Sequence, residues 1–294
     1  MKIVKIYGGL GNQMFQYAFA LSLAVAGGDD IYLDGSGLAN DRLHNGFELD
    51  RLFSLALPAA RIEDVRRLSD SPVSLAGRIR RKYFSKRSHF IDRKFGYQPE
   101  LFEMPDDMYF EGYWQSEKYF KPIEARIRER LAFARPLDDR NEELLASLPR
   151  PIASVHVRRG DYLRHANLNL CTPAYYGRAV EAISRDGGIG SLLVFSDDAE
   201  YCRTALEPRG VPATIVDWNA GPESWQDMAM MSRCDRHVIA NSSFSWWGAW
   251  LDPNPAKRIV APSIWNRREI RDADLYYSFK FNDIVPEGWE RVAI

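Results

Sequence analysis

The chain has 294 residues, enough for two domains of ordinary size, and 46% of them are hydrophobic, which supports a real core and excludes general disorder. Its formal net charge of −1 leaves no global field to gather nucleic acid. No run approaches the roughly 20 apolar residues of a spanning helix, and the start, MKIVKIYGG, lacks the apolar core and cleavage site of a signal peptide. Cys171, Cys202 and Cys234 stand far apart with no CxxC spacing, so free thiols in a cytoplasmic protein are the expectation, with no local metal site.

In chain order, residues 2–7 alternate polar and β-branched side chains and read as a strand. GGLGNQ, residues 8–13, leads into a mostly apolar segment that reads as a buried helix stopped by Gly27 and Gly28. IYLD, residues 31–34, is a second strand. This start is similar to a dinucleotide fingerprint, with Gly9, Gly11 and a following Asp34, but Met14 stands where the third glycine belongs, and a plain tight turn reads as well. IEDVRRL, residues 62–68, looks helical. RIRRKYFSKR, residues 78–87, is strongly basic: either a solvated helix face or a contact with an anionic membrane or acceptor. MYFEGYW, residues 108–114, reads as an aromatic-rich strand, and residues 117–131 as one charged helix with Pro122 near its start. A short helix, residues 139–148, precedes a domain boundary near 150.

Beyond it the pattern alternates regularly: strands at 152–157, 191–196, 213–217, 237–240 and 258–261, and helices at 173–185, 199–206, 223–233 and 243–251. Alternation at this spacing implies a parallel sheet with helices on both faces. Ligands in such sheets bind at the carboxyl ends of the strands. The first of these strands ends in HVRRGDY, residues 156–162. Two adjacent guanidiniums there need a counter-charge, and their planar forks match a diphosphate; a surface Arg–Asp pair in a turn is the plainer use. The strand at 237–240 hands over to NSSFSWWGAW, where Ser242 and Ser243 either cap the next helix or offer hydroxyls and backbone N–H groups to the same anion. Trp246, Trp247 and Trp250 read as packing behind that turn. After the strand at 191–196, Asp197 or Asp198 accepts from a ribose or base, or caps the next helix. The one D-x-D, Asp272 to Asp274, falls in the C-terminal tail, away from the strand ends. Without a metal-binding pair there, cations of the protein must neutralise a leaving diphosphate.

Taken together, GGLGNQMFQYA, HVRRGDY and DMAMMSRCDRHVIANSSFSWWGAWL (residues 227–251), with FEGYWQSEKYF between, resemble the inverting α-1,2-fucosyltransferases of bacterial type, which use GDP-fucose. The resemblance implies a GT-B-like α/β fold of two Rossmann-like domains across a cleft. Residues 1–150 would bind the acceptor and residues 151–294 GDP-fucose. It implies transfer of L-fucose to a galactoside O2 with inversion, that is, a galactoside 2-α-L-fucosyltransferase in surface polysaccharide or oligosaccharide synthesis. It puts Arg158 on the donor diphosphate, His156 near the guanosine, Asn12 on the donor, and Ser242 and Ser243 on phosphate.

Arg159 and Asp197 join this donor set. Arg159 is expected to pair with Asp161 and hold the turn, with Gly9, Gly11 and Asp161 as supports. No metal or other cofactor is expected. The general base stays open among Asp161, Glu111, His44 and His165. The expected partners are GDP-fucose and a galactose-containing, lipid-linked glycan at the inner face of an anionic membrane, with no nucleic acid. The alternatives are a nicotinamide-dependent oxidoreductase built on GGLGNQ and Asp34, and a non-catalytic nucleotide- or sugar-binding module.

Overall fold

The protein is described by a computed structural model covering residues 1–28, 30–40, 44–70, 86–185, 187–206, 210–267 and 283–294. The basic stretch at 78–85 and Asp272 to Asp274 lie outside the described residues. The chain divides into two compact units, Met1–Ala134 with Asn282–Ile284, and Arg135–Phe281 with Val285–Ile294.

The first unit is built on a four-stranded parallel sheet of β1 (Lys2–Lys5), β2 (Ile31–Asp34), β3 (His89–Ile91) and β4 (Met108–Glu111), in the order β2-β1-β4-β3. Helix α1 (Leu10–Gly27) is mostly apolar and is buried from Leu10 through Leu23 apart from Asn12, with the buried Gln13 and Gln16 hydrogen-bonded to backbone groups. It ends as expected: Gly28 takes φ 65° and its N–H returns to the Ala24 carbonyl. Two short helices follow, α2 (Leu49–Leu52) and α3 (Ile62–Leu68).

Two expectations change here. The strand from residue 108 stops at Glu111: the Gly112 carbonyl accepts from the Gln16 side chain at 3.2 Å, and Trp114 turns at φ 54°. The single helix over 117–131 is instead two 3₁₀ turns, Glu117–Tyr119 and Lys121–Ile123, followed by α4 (Glu124–Arg130). Pro122 has no N–H to give to a continuous helix, and Phe120 leaves the helical region at φ −128°.

The second unit holds a six-stranded parallel sheet: β5 (Ile152–Val157), β6 (Ser191–Ser196), β7 (Ala213–Val216), β8 (Arg236–Val238), β9 (Arg258–Pro262) and β10 (Glu290–Val292), in the order β10-β9-β8-β5-β6-β7. Its helices are α5 (Asp139–Ser147), α6 (Pro173–Ser184), α7 (Ala199–Ala205), α8 (Trp225–Met231) and α9 (Ser243–Leu251). Val155 and Val157 pack with Tyr175, Tyr176, Val180 and Ile183 of α6. The alternate residues of β5, Ser154 and His156, point to the opposite face, where the His156 ring lies 5.7 Å from that of Phe244.

The division at 134/135 precedes the boundary expected near 150. Helix α5 goes with the second unit because Asn141 donates to Gln226 at 2.8 Å and to Asn219 at 3.0 Å, and accepts from the Trp218 indole at 2.8 Å. No helix among the described residues is long and apolar enough to cross a membrane.

Candidate active site

The turn after β5 collects charge at the carboxyl edge of the second sheet. The Arg158 Nη2 donates to Asp161 Oδ1 at 2.7 Å, and its Nη1 lies 3.1 Å from Asp197 Oδ2. Arg159 turns elsewhere. Its Nε donates to Asp198 Oδ2 at 3.0 Å, and its guanidinium sits 3.5 Å from the centre of the Tyr201 ring. This corrects the expected Arg159–Asp161 pair. Asp161 is three residues beyond Arg158 and closes on that arginine, while Arg159 reaches toward the start of α7. The Arg159 backbone N–H donates to Asp197 Oδ1 at 2.8 Å. Asp197 therefore braces the turn from both sides, and Asp198 caps α7 by accepting from the Tyr201 N–H at 3.0 Å. Gly160 permits this approach: a Cβ there would stand 2.6 Å from Asp197 Oδ2.

A guanidinium carries five N–H donors. Asp161 and Asp197 orient Arg158 through its two terminal nitrogens, and the side chain stays 30% exposed, so the fork is held in place with donor capacity left over. Tyr162 lies below it, ring centre 5.6 Å from the guanidinium, its hydroxyl donating to the Asn241 carbonyl at 3.1 Å. Asn241 is itself tied down, its amide donating to the Leu168 and Trp265 carbonyls at 2.9 and 3.0 Å. These bonds join the arginine turn to the serine turn. Ser242 is buried and caps α9, accepting from the Phe244 N–H at 3.4 Å, whereas Ser243 is half-buried as the first residue of the helix. The three tryptophans behind them are buried, with Trp246 and Trp247 centred 5.0 Å apart and Trp247 and Trp250 5.2 Å apart.

His156 is 5% exposed, and its Nδ1 is buried with no hydrogen-bond partner among the described residues. Burial, helped by the Arg158 charge, pushes its pKa down to about 3, so the imidazole is neutral. Asp227, in the first turn of α8, accepts from the Asn219 amide at 2.8 Å, and burial raises its carboxyl to about 7.

Asn12, Gly9 and Gly11 belong to the first unit. Asn12 Oδ1 accepts from the Gln115 amide at 2.7 Å. Gly9 is the residue before α1, where a Cβ would meet His44 Nδ1 at 3.4 Å, and Gly11 is buried in the first helical turn. Gly8, not singled out from sequence, has the positive φ of 79°. Asp34 is spent internally, accepting from the Tyr109 hydroxyl at 2.6 Å and the Ser36 N–H at 3.0 Å. Of the base candidates, Asp161 is held by Arg158. Glu111 is held by Lys5 at 3.3 Å and His89 at 3.2 Å, and His165 is exposed. Among the described residues no group of His, Cys, Asp and Glu is arranged to hold a metal ion.

Residues 53–282 match the family model described as glycosyl transferase family 11. The chain belongs to that family. It is a glycosyltransferase, and the oxidoreductase alternative falls with the internal use of Asp34. An α-1,2-colitosyltransferase of Escherichia coli is 32% identical over 99% of this chain and 98% of its own. The human galactoside α-(1,2)-fucosyltransferase 1 is 23% identical over 83% of this chain and 63% of its own. Solved structures of the fucosyltransferase NodZ share the fold. One, from Bradyrhizobium, matches with TM-score 0.53 at 16% identity, over 88% of this chain and 93% of that one. Another, of NodZ as an α-1,6-fucosyltransferase soaked with GDP-fucose, matches with TM-score 0.51 at 18% identity, over 90% and 94%. The α/β, GT-B-like architecture of this family 11 chain is thus as expected from its motifs.

Proposed function

We propose that this family 11 glycosyltransferase moves L-fucose from GDP-fucose to O2 of a galactoside with inversion, the second unit holding the donor and the first the acceptor. The observation that carries the reading is the braced Arg158 at the carboxyl end of β5. As the sugar–phosphate bond breaks, negative charge grows on the β-phosphate, and a donor already aimed there acts mostly in the transition state. Ser243 and the N-terminus of α9 add hydroxyl and backbone donors to the same anion. Positioning of the acceptor hydroxyl against an oxocarbenium-like carbon supplies the rest. The family resemblance puts the neutral His156, which faces Phe244 beside the arginine turn, near the guanosine.

The reaction needs no divalent metal in this reading. Its support is that the two carboxylates after β6, Asp197 and Asp198, are engaged by Arg158 and Arg159 instead of being left for a cation. Colitose is fucose without its 3-hydroxyl, and the 32% identity to a colitosyltransferase favours it as a second donor reading. The protein would act in the cytoplasm at the inner face of a membrane, on a lipid-linked glycan, with the basic residues at 78–87 against anionic lipid.

The test is turnover of GDP-fucose and GDP-colitose on methyl β-galactoside and N-acetyllactosamine, with and without EDTA, beside calorimetry against GDP. Fucose transfer that survives EDTA is the expected result. Activity that vanishes in chelator and returns only with Mg²⁺ or Mn²⁺ would refute the role given to the arginines. Preference for GDP-colitose moves the reading to the second donor, and GDP binding without turnover of either sugar makes the protein a binding module.

A further inference from the structure

Strands β1, β4 and β3 lie side by side and parallel, so the loops that follow them emerge at one edge of the first sheet. Each of those loops brings an aromatic ring to that edge: Tyr7 after β1, Tyr113 after β4 and Phe95 after β3. The Tyr7 and Tyr113 rings are centred 4.9 Å apart at 45°, and Phe95 stacks on Tyr113 at 6.3 Å and 22°. All three are part-exposed. The buried rings of Phe110, Trp114 and Tyr119, by contrast, pack around Phe19 in the core of the unit.

The edge is built, and at some cost. Buried Gln16 of α1 accepts from the Tyr7 N–H at 2.9 Å and donates to the Gly112 carbonyl at 3.2 Å, which holds two of the loops in register. Asp92 accepts from the Lys94 and Phe95 N–H groups at 3.0 and 3.2 Å and from the Gln98 amide at 3.1 Å, folding the third loop. Phe95 and Trp114 sit at φ 58° and 54°, a region bulky L-residues rarely occupy. The Trp114 indole N–H is also buried with no partner among the described residues. Strain gathered in loops that present rings to solvent points to a use for the rings.

Polar groups stand at the rim. Lys5 Nζ lies 5.1 Å from the Tyr7 ring centre and 3.3 Å from Glu111 Oε1, and the Gln115 amide meets Asn12 at 2.7 Å. The Glu111 charge also acts on the Tyr113 hydroxyl, whose pKa is raised chiefly by burial and next by that carboxylate. Aromatic faces carry negative charge and pyranose C–H faces positive, so a sugar ring can lie flat on the one while its hydroxyls reach the other groups.

We propose that Tyr7, Tyr113 and Phe95 form a subsite for a pyranose ring of the acceptor glycan, with Glu111 and Lys5 taking its hydroxyls. The proposal rests on the transferase reading for its occupant. The test uses the full chain with methyl β-galactoside as probe, followed by saturation-transfer NMR, and N-acetyllactosamine as acceptor in kinetics. Tyr113→Leu and Tyr7→Leu, each checked for folding by circular dichroism, keep apolar volume and lose the ring. Acceptor KM should rise about tenfold, the NMR signal should fall, and donor KM and acceptor-independent GDP-fucose hydrolysis should stay as in the wild type. Tyr113→Phe should restore the wild-type acceptor KM. Unchanged acceptor KM and NMR signal in both folded variants would overturn the subsite, as would a rise in donor KM alone, which assigns the rings to the nucleotide. If the wild type turns over neither donor, the transferase reading has failed, while contact of the galactoside with wild-type but not variant protein still upholds the subsite.

Discussion

Arg158 and Arg159 are neighbours in sequence and strangers in the fold. Successive residues leave a strand in opposite directions, so Arg158 meets Asp161 and Asp197 while Arg159 meets Asp198 and Tyr201. Arg158→Lys keeps the charge and loses the fork. It should lower kcat by about 10²–10³, the usual effect of removing a donor aimed at developing charge. Arg159→Lys should keep more activity and lose melting temperature, since it gives up its ring contact and its bond to the capping Asp198. The division of roles was expected from the motif, but neither carboxylate partner of Arg158 was, since Asp161 was expected on Arg159. The decisive measurement is kcat, donor KM and Tm for the two variants. A folded, inactive Arg159→Lys beside an active Arg158→Lys would reverse the roles.

At the scale of elements, buried polar side chains join strands to helices. His237 of β8 shares a hydrogen bond with Ser154 Oγ of β5 at 2.9 Å through Nδ1, and with Asp252, just past α9, at 3.0 Å through Nε2. All three are buried, so the trio ties the sheet to α9 and has no access to substrate. Burial lowers the pKa of His237 and takes His156 to about 3. An unfolded histidine titrates near 6.5. Below that value the unfolded chain therefore binds more protons than the folded one. The stability from both residues is complete above about pH 6.5 and is lost as pH falls, by up to about 1.4 kcal/mol per pH unit for each.

Asp227 acts oppositely. Its folded value of about 7 lies above the unfolded carboxylate value, so its contribution is present in acid and is lost as pH rises toward 7. Asp227→Asn should therefore stabilise the chain at pH 8, and the gain should vanish near pH 4. Urea midpoints across that range measure it; a gain that does not change with pH would mean the carboxyl is not buried as described.

For the whole molecule, the chain crosses between its units more than once. Asn282–Ile284 return to the first unit, where Asp283 accepts from the Tyr97 N–H at 3.0 Å, and Val285–Ile294 go back to add β10 beside β9. The basic stretch at 78–87 belongs to this scale, because its proposed partner is a membrane. Neutralising Arg80, Arg81 and Lys82 should reduce flotation with anionic vesicles, more so at low salt, and leave transfer to a soluble galactoside unchanged. Equal flotation of the two proteins would make the stretch a solvated face.

Much of this was decided along the chain. The alternation of the second half marked each strand that ends in chemistry, with β5 and β6 matching residues 152–157 and 191–196, because buried parallel strands are near-continuous apolar runs between helices of ordinary length. HVRRGDY and NSSFSWW marked the arginine and serine turns for the same reason, each being polar residues placed where a strand stops. The tertiary structure decided what spacing does not encode. His89–Ile91 and Glu290–Val292 are three residues long and only partly buried, so no apolar run marks them as one marks the equally short Arg236–Val238, and they exist only through their neighbours. Which carboxylate each arginine meets depends on β6 lying beside β5. Tyr7, Phe95 and Tyr113 are scattered over the first half of the chain, and only the order β1-β4-β3 brings their rings to one edge.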